Sequence, residues 1–332
     1  MEMRVFGRTG LPISILGFGC GAVGGLMVRG DPAEQERAVS QALEAGVNYF
    51  DTAVQYGNGA SETHLGRLFA KLRATNAIVG TKVGLPPEHF GRVGDAIADS
   101  LEGSLRRLGL EQVGIFYLHN PITPDGDEEA LSVRKVFDEV VPAFDRLRRQ
   151  GKVRFIGFTA IGDTEALRQV TDARLFDGAQ VVYNMLNPSA SRDVPADYPA
   201  QDYGRIFDHT QAAGVGVVGI RVLAGGALSG IAERHPVASP APAPIGSALS
   251  YEADFERARR FMPLVQEGYA GSLAEAAIRF AISHPAMGTI LVGMASLQQW
   301  KEALAAVRKG PLPPAALDRV ATLQKGFAGE AR

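Results

Sequence analysis

Four side chains within the first 120 residues could together run proton chemistry: Asp51, Tyr56, Lys82 and His119. An ordinary tyrosine titrates near ~10, and an ammonium beside it favours the phenolate, which would bring the hydroxyl toward physiological pH. Lys82 is the cation for that role, and Asp51 is the anion that would hold it in place. His119 could donate a hydrogen bond to a carbonyl oxygen or hold a substrate in register. Such a set protonates an alkoxide as it forms. Each residue alone also has an ordinary reading: a structural ion pair, a core histidine, a loop aromatic. Their joint placement is what argues for chemistry.

That placement follows from the elements that carry them. Short apolar or β-branched runs alternate with amphipathic helical runs along the whole chain, the rhythm of a parallel sheet. Strands are predicted over Ser14–Cys20, Val47–Asp51, Ala77–Lys82, Val113–His119, Val153–Thr159, Ala179–Val182, Gly216–Ile220 and Gly288–Val292. Eight of them imply a closed α/β barrel. Asp51, Lys82 and His119 then end the second, third and fourth strands, which lie about 4.8 Å apart, and converge on the barrel's C-terminal face. Tyr56 stands in the turn Tyr56-Gly57-Asn58-Gly59 and can fold back over them.

Helix signals fill the gaps. Leu65, Leu68, Phe69 and Leu72 recur at helical spacing, as do Val133, Val136, Phe137 and Val140. Asp31-Pro32 and Ser61 read as helix starts, and Ser272 to Glu275 as a capping box. Gly7 to Gly10 suits the turn of an N-terminal hairpin closing the barrel bottom, and Pro314 to Ala328 reads as a C-terminal helix. The proline-rich segment Leu223 to Ser250, after the seventh strand, reads either as a substrate-enclosing loop or as a surface insertion.

The bulk numbers set bounds. With 332 residues, 46% hydrophobic and 21% charged, the chain can bury a large core, and one domain over 1–332 accounts for it. A net charge of −2 leaves no footprint for nucleic acid or an anionic membrane, and no apolar stretch spans a bilayer. Cys20 is the single cysteine, which fits a reducing compartment, the cytoplasm by default. Gly19, Gly21 and Gly24 spell G-x-G-x-x-G, but Gly25 and Gly30 follow and helix signals begin only at Asp31. A Rossmann turn needs its helix at once, so a glycine-rich connection after the first strand is the better reading.

Three motifs carry a family resemblance. GVNYFDTAVQYGNGASETHLGRLF (Gly46 to Phe69) resembles the aldo-keto reductase signature, IVGTK (Ile78 to Lys82) resembles that family's lysine motif, and FYLHNP (Phe116 to Pro121) its histidine motif. The likeness runs along essentially the whole chain. It implies a (β/α)₈ TIM barrel and an oxidoreductase that moves a hydride between NAD(H) or NADP(H) and an aldehyde, ketone or sugar lactol, without metal or flavin. By the same resemblance Asp51, Tyr56, Lys82 and His119 are the catalytic tetrad. Val54 and Asn120 join Tyr56 and His119 around the substrate, and Gly21, Asp51 and Leu223 join the cofactor contacts.

The chain departs from the family pattern on the cofactor side. Phe158-Thr159-Ala160 stands where a Ser-Asn pair usually holds the nicotinamide carboxamide, while Gln180 matches the family glutamine. Ile220 replaces a stacking aromatic, covering the ring by dispersion contact, and Arg221 replaces a serine and could reach the pyrophosphate as a bidentate donor. At the adenosine end Gly293, Ser296, Gln299 and Glu302 fall at contacting positions. The usual 2′-phosphate Arg or Lys is missing and Ala303 replaces an asparagine, which leaves NAD against NADP open. Substrate identity, reaction direction and oligomeric state are also open. Competing readings are a cofactor-sensing regulatory subunit on the same barrel, a Rossmann dehydrogenase, and a barrel isomerase using Lys82 as base or Schiff-base former.

Overall fold

In a computed structural model that describes residues 1–330, all eight expected strands form and close on one another. A hairpin of β1 (Met3–Phe6) and β2 (Leu11–Ser14) precedes β3 (Leu16–Gly19), β4 (Tyr49–Asp51), β5 (Ile78–Val83) and β6 (Val113–Leu118). Two short strands, β7 (Ile122–Thr123) and β8 (Leu131–Ser132), pair outside the barrel. The circuit is completed by β9 (Val153–Thr159), β10 (Gly178–Val182), β11 (Gly216–Ile220) and β12 (Met287–Gly293), with β12 returning to β3. The barrel strands pair in parallel, so their C-terminal ends share one face. The first barrel strand starts at Leu16 rather than Ser14, because Ser14 pairs with Met3 in the hairpin.

Local chemistry explains most helix ends. Asp31 accepts the Ala33 and Glu34 N–H groups at 3.0 Å and Pro32 occupies the first helical position of Pro32–Glu44. Ser272 accepts from Glu275 N at 3.1 Å, while the Glu275 carboxylate takes the Gly271 N–H at 3.2 Å. The helical run from Val133 to Arg149 is interrupted by a π-helical turn, Val136–Val140, just before Pro142. A proline has no N–H for the α-helical bond, and the wider turn accommodates it. The C-terminal helix spans Pro314–Lys325.

Inside the barrel Tyr49, Ile115, Tyr117 and Val218 pack with Phe6, Leu11 and Ile13 of the hairpin. Phe6 is fully buried and is the stopper of the barrel floor. A Cβ at Gly178, Gly216 or Gly288 would come within 3.0 Å of its ring, so three strands omit a side chain where the ring sits. The floor is closed by packing, and the open end is the face where the strands finish.

Candidate active site

Asp51 is the last residue of β4 and Lys82 the next-to-last of β5, and both are almost completely buried. The Lys82 ammonium donates to Asp51 Oδ1 at 2.5 Å and to the Thr52 carbonyl at 2.8 Å, and couples to the Tyr56 hydroxyl. Its Nζ lies 4.8 Å from the Tyr56 ring centre. Asp51 Oδ2 accepts from Tyr49 OH at 3.1 Å and from Gln180 Nε2 at 2.6 Å. The carboxylate therefore has a partner for each oxygen, the condition under which burying it is tolerable.

Tyr56 is held by a tight loop in which its N–H bonds Ala53 O and the Gly59 N–H bonds Val54 O at 2.7 Å. Asn58 at φ 51°, Gly57 at 67° and Gly59 at 86° make this turn possible. The helix that follows is Ala60–Leu72 with Gly59 at its cap, so Ser61 is not the helix start expected from the sequence. Its hydroxyl is committed elsewhere, donating to Cys20 O at 2.9 Å and meeting Thr52 Oγ1 at 2.8 Å, which ties the Tyr56 loop to the first barrel loop. His119 follows the end of β6, its ring 6.2 Å from that of Tyr56 and nearly perpendicular to it.

Electrostatics assigns protonation states. Burial drives the Tyr56 hydroxyl above its ordinary value, and the lowering by Lys82 only partly offsets this. The expectation that Lys82 would bring Tyr56 toward neutrality is thus corrected: desolvation wins, and Tyr56 is a phenol. Burial alone would lower Lys82, but Asp51 and Tyr56 together hold it above its usual value, so it stays an ammonium. Burial, and then Lys82, press His119 down to about 3, leaving a neutral imidazole. The site holds one ion pair, one phenol and one uncharged hydrogen-bonding ring.

These groups open onto a cavity of about 860 Å³, at the large end for a ligand site. Asp51, Tyr56, His119, Thr159, Gln180 and Ile220 line it, together with Gly293, Gln299, Glu302 and Ala303. Gly21, Arg221 and Leu223 also line it, as does much of the long connection after β11, from Gly225 to Ile245. That connection is therefore a wall of the cavity, not a detached insertion. Arg29 fastens it, donating to Val237 O and to Ala22 O at 2.7 Å. Arg221, at φ 56°, donates to Ala243 O at 3.1 Å, and burial lowers its pKa from the ordinary guanidinium value.

Three expected contacts fall elsewhere. Asn120 does not line the cavity: its amide bonds Leu85 N and O at 2.7 Å and reaches Glu129 O, clamping one loop to another. Val54 also stands outside the lining, and Ser296 caps the helix Leu297–Arg308 by accepting from Gln299 N. Gln180 lines the cavity, but its NH₂ is already given to Asp51 and its carbonyl accepts from Thr159 at 3.4 Å. Tyr49, which holds Asp51 from below, and Ile161 and Tyr251, which line the cavity, carried no sequence signal beyond their apolar character. Among the described residues no three His, Cys, Asp or Glu side chains group as a metal site, and no helix is long and apolar enough to cross a membrane.

The comparisons with known proteins agree with this architecture. The chain is 28% identical to L-galactose dehydrogenase of Arabidopsis thaliana, over 92% of this chain and 88% of that one. It is 28% identical to human aflatoxin B1 aldehyde reductase member 2, over 87% and 81% of the two chains. The holo form of an aldo-keto reductase from Bacillus halodurans superposes with a TM-score of 0.71, covering 100% of this chain and 98% of that one at 24% identity, a likeness of fold. The model of the aldo/keto reductase family matches residues 15–325. The chain belongs to the aldo/keto reductase family, NAD(P)-dependent oxidoreductases that act on aldehydes and sugars.

Proposed function

We propose that the chain transfers a hydride between a nicotinamide dinucleotide and an aldehyde, ketone or sugar lactol, with Tyr56 as general acid and base. The observation that carries this is the Tyr56 phenol, coupled to the buried Lys82–Asp51 pair and facing the neutral His119 across the mouth of one long cavity. The cavity has about 860 Å³ and both Tyr56 and Glu302 in its lining, which suits a ligand of dinucleotide size. Bound nicotinamide would supply or accept the hydride at the substrate carbon. Thr159, Gln180, Ile220 and Arg221 would hold the nicotinamide half, and Gly293, Gln299 and Glu302 the adenosine half.

In reduction, Tyr56 gives its proton to the carbonyl oxygen as that oxygen takes up negative charge. The Lys82 ammonium then faces a phenolate, and the attraction between them lowers the barrier to that transfer. Asp51 keeps Lys82 charged and in place. The His119 ring, which carries no charge, donates a hydrogen bond that fixes the carbonyl against Tyr56 without competing as an acid. In oxidation the same groups run in reverse, and the proton passes from the hydroxyl of the substrate to the phenolate. The relatives named for L-galactose and for an aldehyde support a sugar lactol or an aldehyde as substrate.

Tyr56→Phe tests the reading. With a panel of aldehydes and aldoses, nicotinamide absorbance should show turnover reduced at least a thousandfold in the variant, with dinucleotide affinity within threefold of the parent. Parent-like turnover would discard Tyr56 as the acid. Tight nucleotide binding by the parent with no turnover on any substrate would favour the cofactor-sensing subunit.

A further inference from the structure

Two tyrosines stand inside the barrel beneath Asp51. Tyr49 lies two positions before Asp51 on β4, and Tyr117 two positions before His119 on β6, and both side chains point into the barrel interior. Both are fully buried. Barrel interiors are ordinarily filled by branched aliphatic side chains, and a phenylalanine would fill the same space as either tyrosine. What tyrosine adds is a hydroxyl, which is costly in such a place unless it is bonded.

Neighbouring strands make room for them. A Cβ at Gly80 would lie 2.3 Å from the Tyr49 hydroxyl and one at Gly17 2.9 Å from its ring, while a Cβ at Gly157 would meet the Tyr117 ring at 2.5 Å. Three strands thus omit a side chain so that two rings can lie across them. The hydroxyls form a directed chain. A carboxylate only accepts, so the single Tyr49 hydroxyl proton goes to Asp51 Oδ2 at 3.1 Å, and the Tyr117 proton spans the 3.1 Å to the Tyr49 oxygen. The chain stops there. Ile115, Val218 and Phe6 pack around the two rings, and among the described residues the Tyr117 hydroxyl bonds nothing else.

A proton therefore has no way out along this chain, and burial holds both hydroxyls well above the ordinary tyrosine value. The pair serves one carboxylate oxygen. Tyr117 polarises the Tyr49 hydroxyl, which strengthens the bond that Tyr49 gives to Asp51. That bond fixes Oδ2, leaves Oδ1 aimed at Lys82 and draws off part of the carboxylate's charge. The titratable groups facing Tyr56 are Lys82, Asp51, Cys20, His119 and Arg221. Lys82 lowers the Tyr56 hydroxyl and Asp51 raises it, so whatever tempers Asp51 makes Tyr56 the stronger acid.

We propose that Tyr49 and Tyr117 are positioning residues that, acting through Asp51, set the proton-donating strength of Tyr56; this rests on Tyr56 as the acid and base. The test compares the parent, Tyr49→Phe, Tyr117→Phe and the double variant, all of which keep both rings. The pH profile of kcat for substrate oxidation, which needs the Tyr56 phenolate, is read beside KM, dinucleotide affinity and Tm. In Tyr49→Phe the limb on which oxidation rises should move up by about half a unit to one unit, about a three- to tenfold loss of phenolate at any pH below it, with KM and dinucleotide affinity within about twofold. Tyr117→Phe keeps the bond to Asp51 and should move the limb by less. The double variant separates positioning from packing. Tyr49→Phe strands the Tyr117 hydroxyl, so removing that hydroxyl too should raise the Tm about 1–4 °C above that of Tyr49→Phe, while the limb stays displaced. If Tyr49→Phe alone does not fold, the double variant, which strands no hydroxyl, reads the same limb. A limb in Tyr49→Phe that coincides with the parent's, or one that returns to the parent's in the double variant along with stability, would overturn the proposal. Parent-like turnover in Tyr56→Phe, or no turnover by the parent on any substrate, would instead remove the reading of Tyr56 on which the proposal rests.

Discussion

The Asp51–Lys82 pair lends itself to a double-mutant cycle. In Lys82→Met the Asp51 carboxylate keeps Tyr49 and Gln180 but loses its counter-charge in a site with almost no solvent. In Asp51→Asn the Lys82 ammonium keeps the Thr52 carbonyl, Tyr56 and a neutral amide oxygen, but loses its counter-charge. Leaving one buried charge unpaired costs about 3–5 kcal/mol. At about 2.1 cal/mol/K per residue, the 332 residues melt with an entropy of roughly 0.7 kcal/mol/K, so each single variant should lose about 4–7 °C. In the double variant both charges are gone, and its loss should fall short of the sum of the singles by about 2 kcal/mol or more. Calorimetry of the four proteins at pH 7 reads the coupling. Single losses under about 1 kcal/mol, or strict additivity, would refute the claim that Asp51 and Lys82 are a desolvated, mutually dependent pair.

Two further outcomes follow from the same structure. His119 in the folded chain titrates at about 3 instead of the ordinary 6.5, so the unfolded chain binds more protons between those values. The stability it contributes is complete above pH 6.5 and is lost as pH falls toward 3; at pH 5 the loss is about 2 kcal/mol. Melting His119→Asn at pH 7.5 and pH 5 should show that much less acid sensitivity than the parent, and equal sensitivity would contradict a buried neutral imidazole. Phe6→Ala should cost about 3–5 kcal/mol in urea unfolding, since the three facing glycines have no side chains with which to fill the hole; a cost near 1 kcal/mol would mean that the floor collapses or that Phe6 is not its stopper.

What could be read from the sequence was whatever depends on one element at a time. The strand ends at Asp51, Lys82 and His119, each placed to within one residue, follow from where an apolar run stops, and parallel closure brings them together without further information. The capping roles of Asp31 and Ser272 were legible because the donor and acceptor lie within three residues. Ser61 misled because a serine before an apolar stripe is a cap signal, and only the fold reveals that Cys20 O and Thr52 compete for its hydroxyl. Asn120 misled in the same way, its amide being spent on Leu85. The state of Tyr56 depended on weighing two opposed effects, burial and Lys82, and a string of letters gives no measure of burial.

The hairpin stopper also governs when this molecule can become whole. Phe6 is made long before its seat, which is built from Gly178, Gly216 and Gly288, and β3 waits for β12 to close the ring. A chain still emerging from the ribosome thus carries a ready β3 edge and an unseated aromatic until β12 has been synthesised. Open strand edges and exposed apolar rings are the features by which nascent chains associate wrongly. Truncation before Met287 should therefore yield a sticky open sheet, not a smaller barrel, so the last strand is the step that removes the open edge.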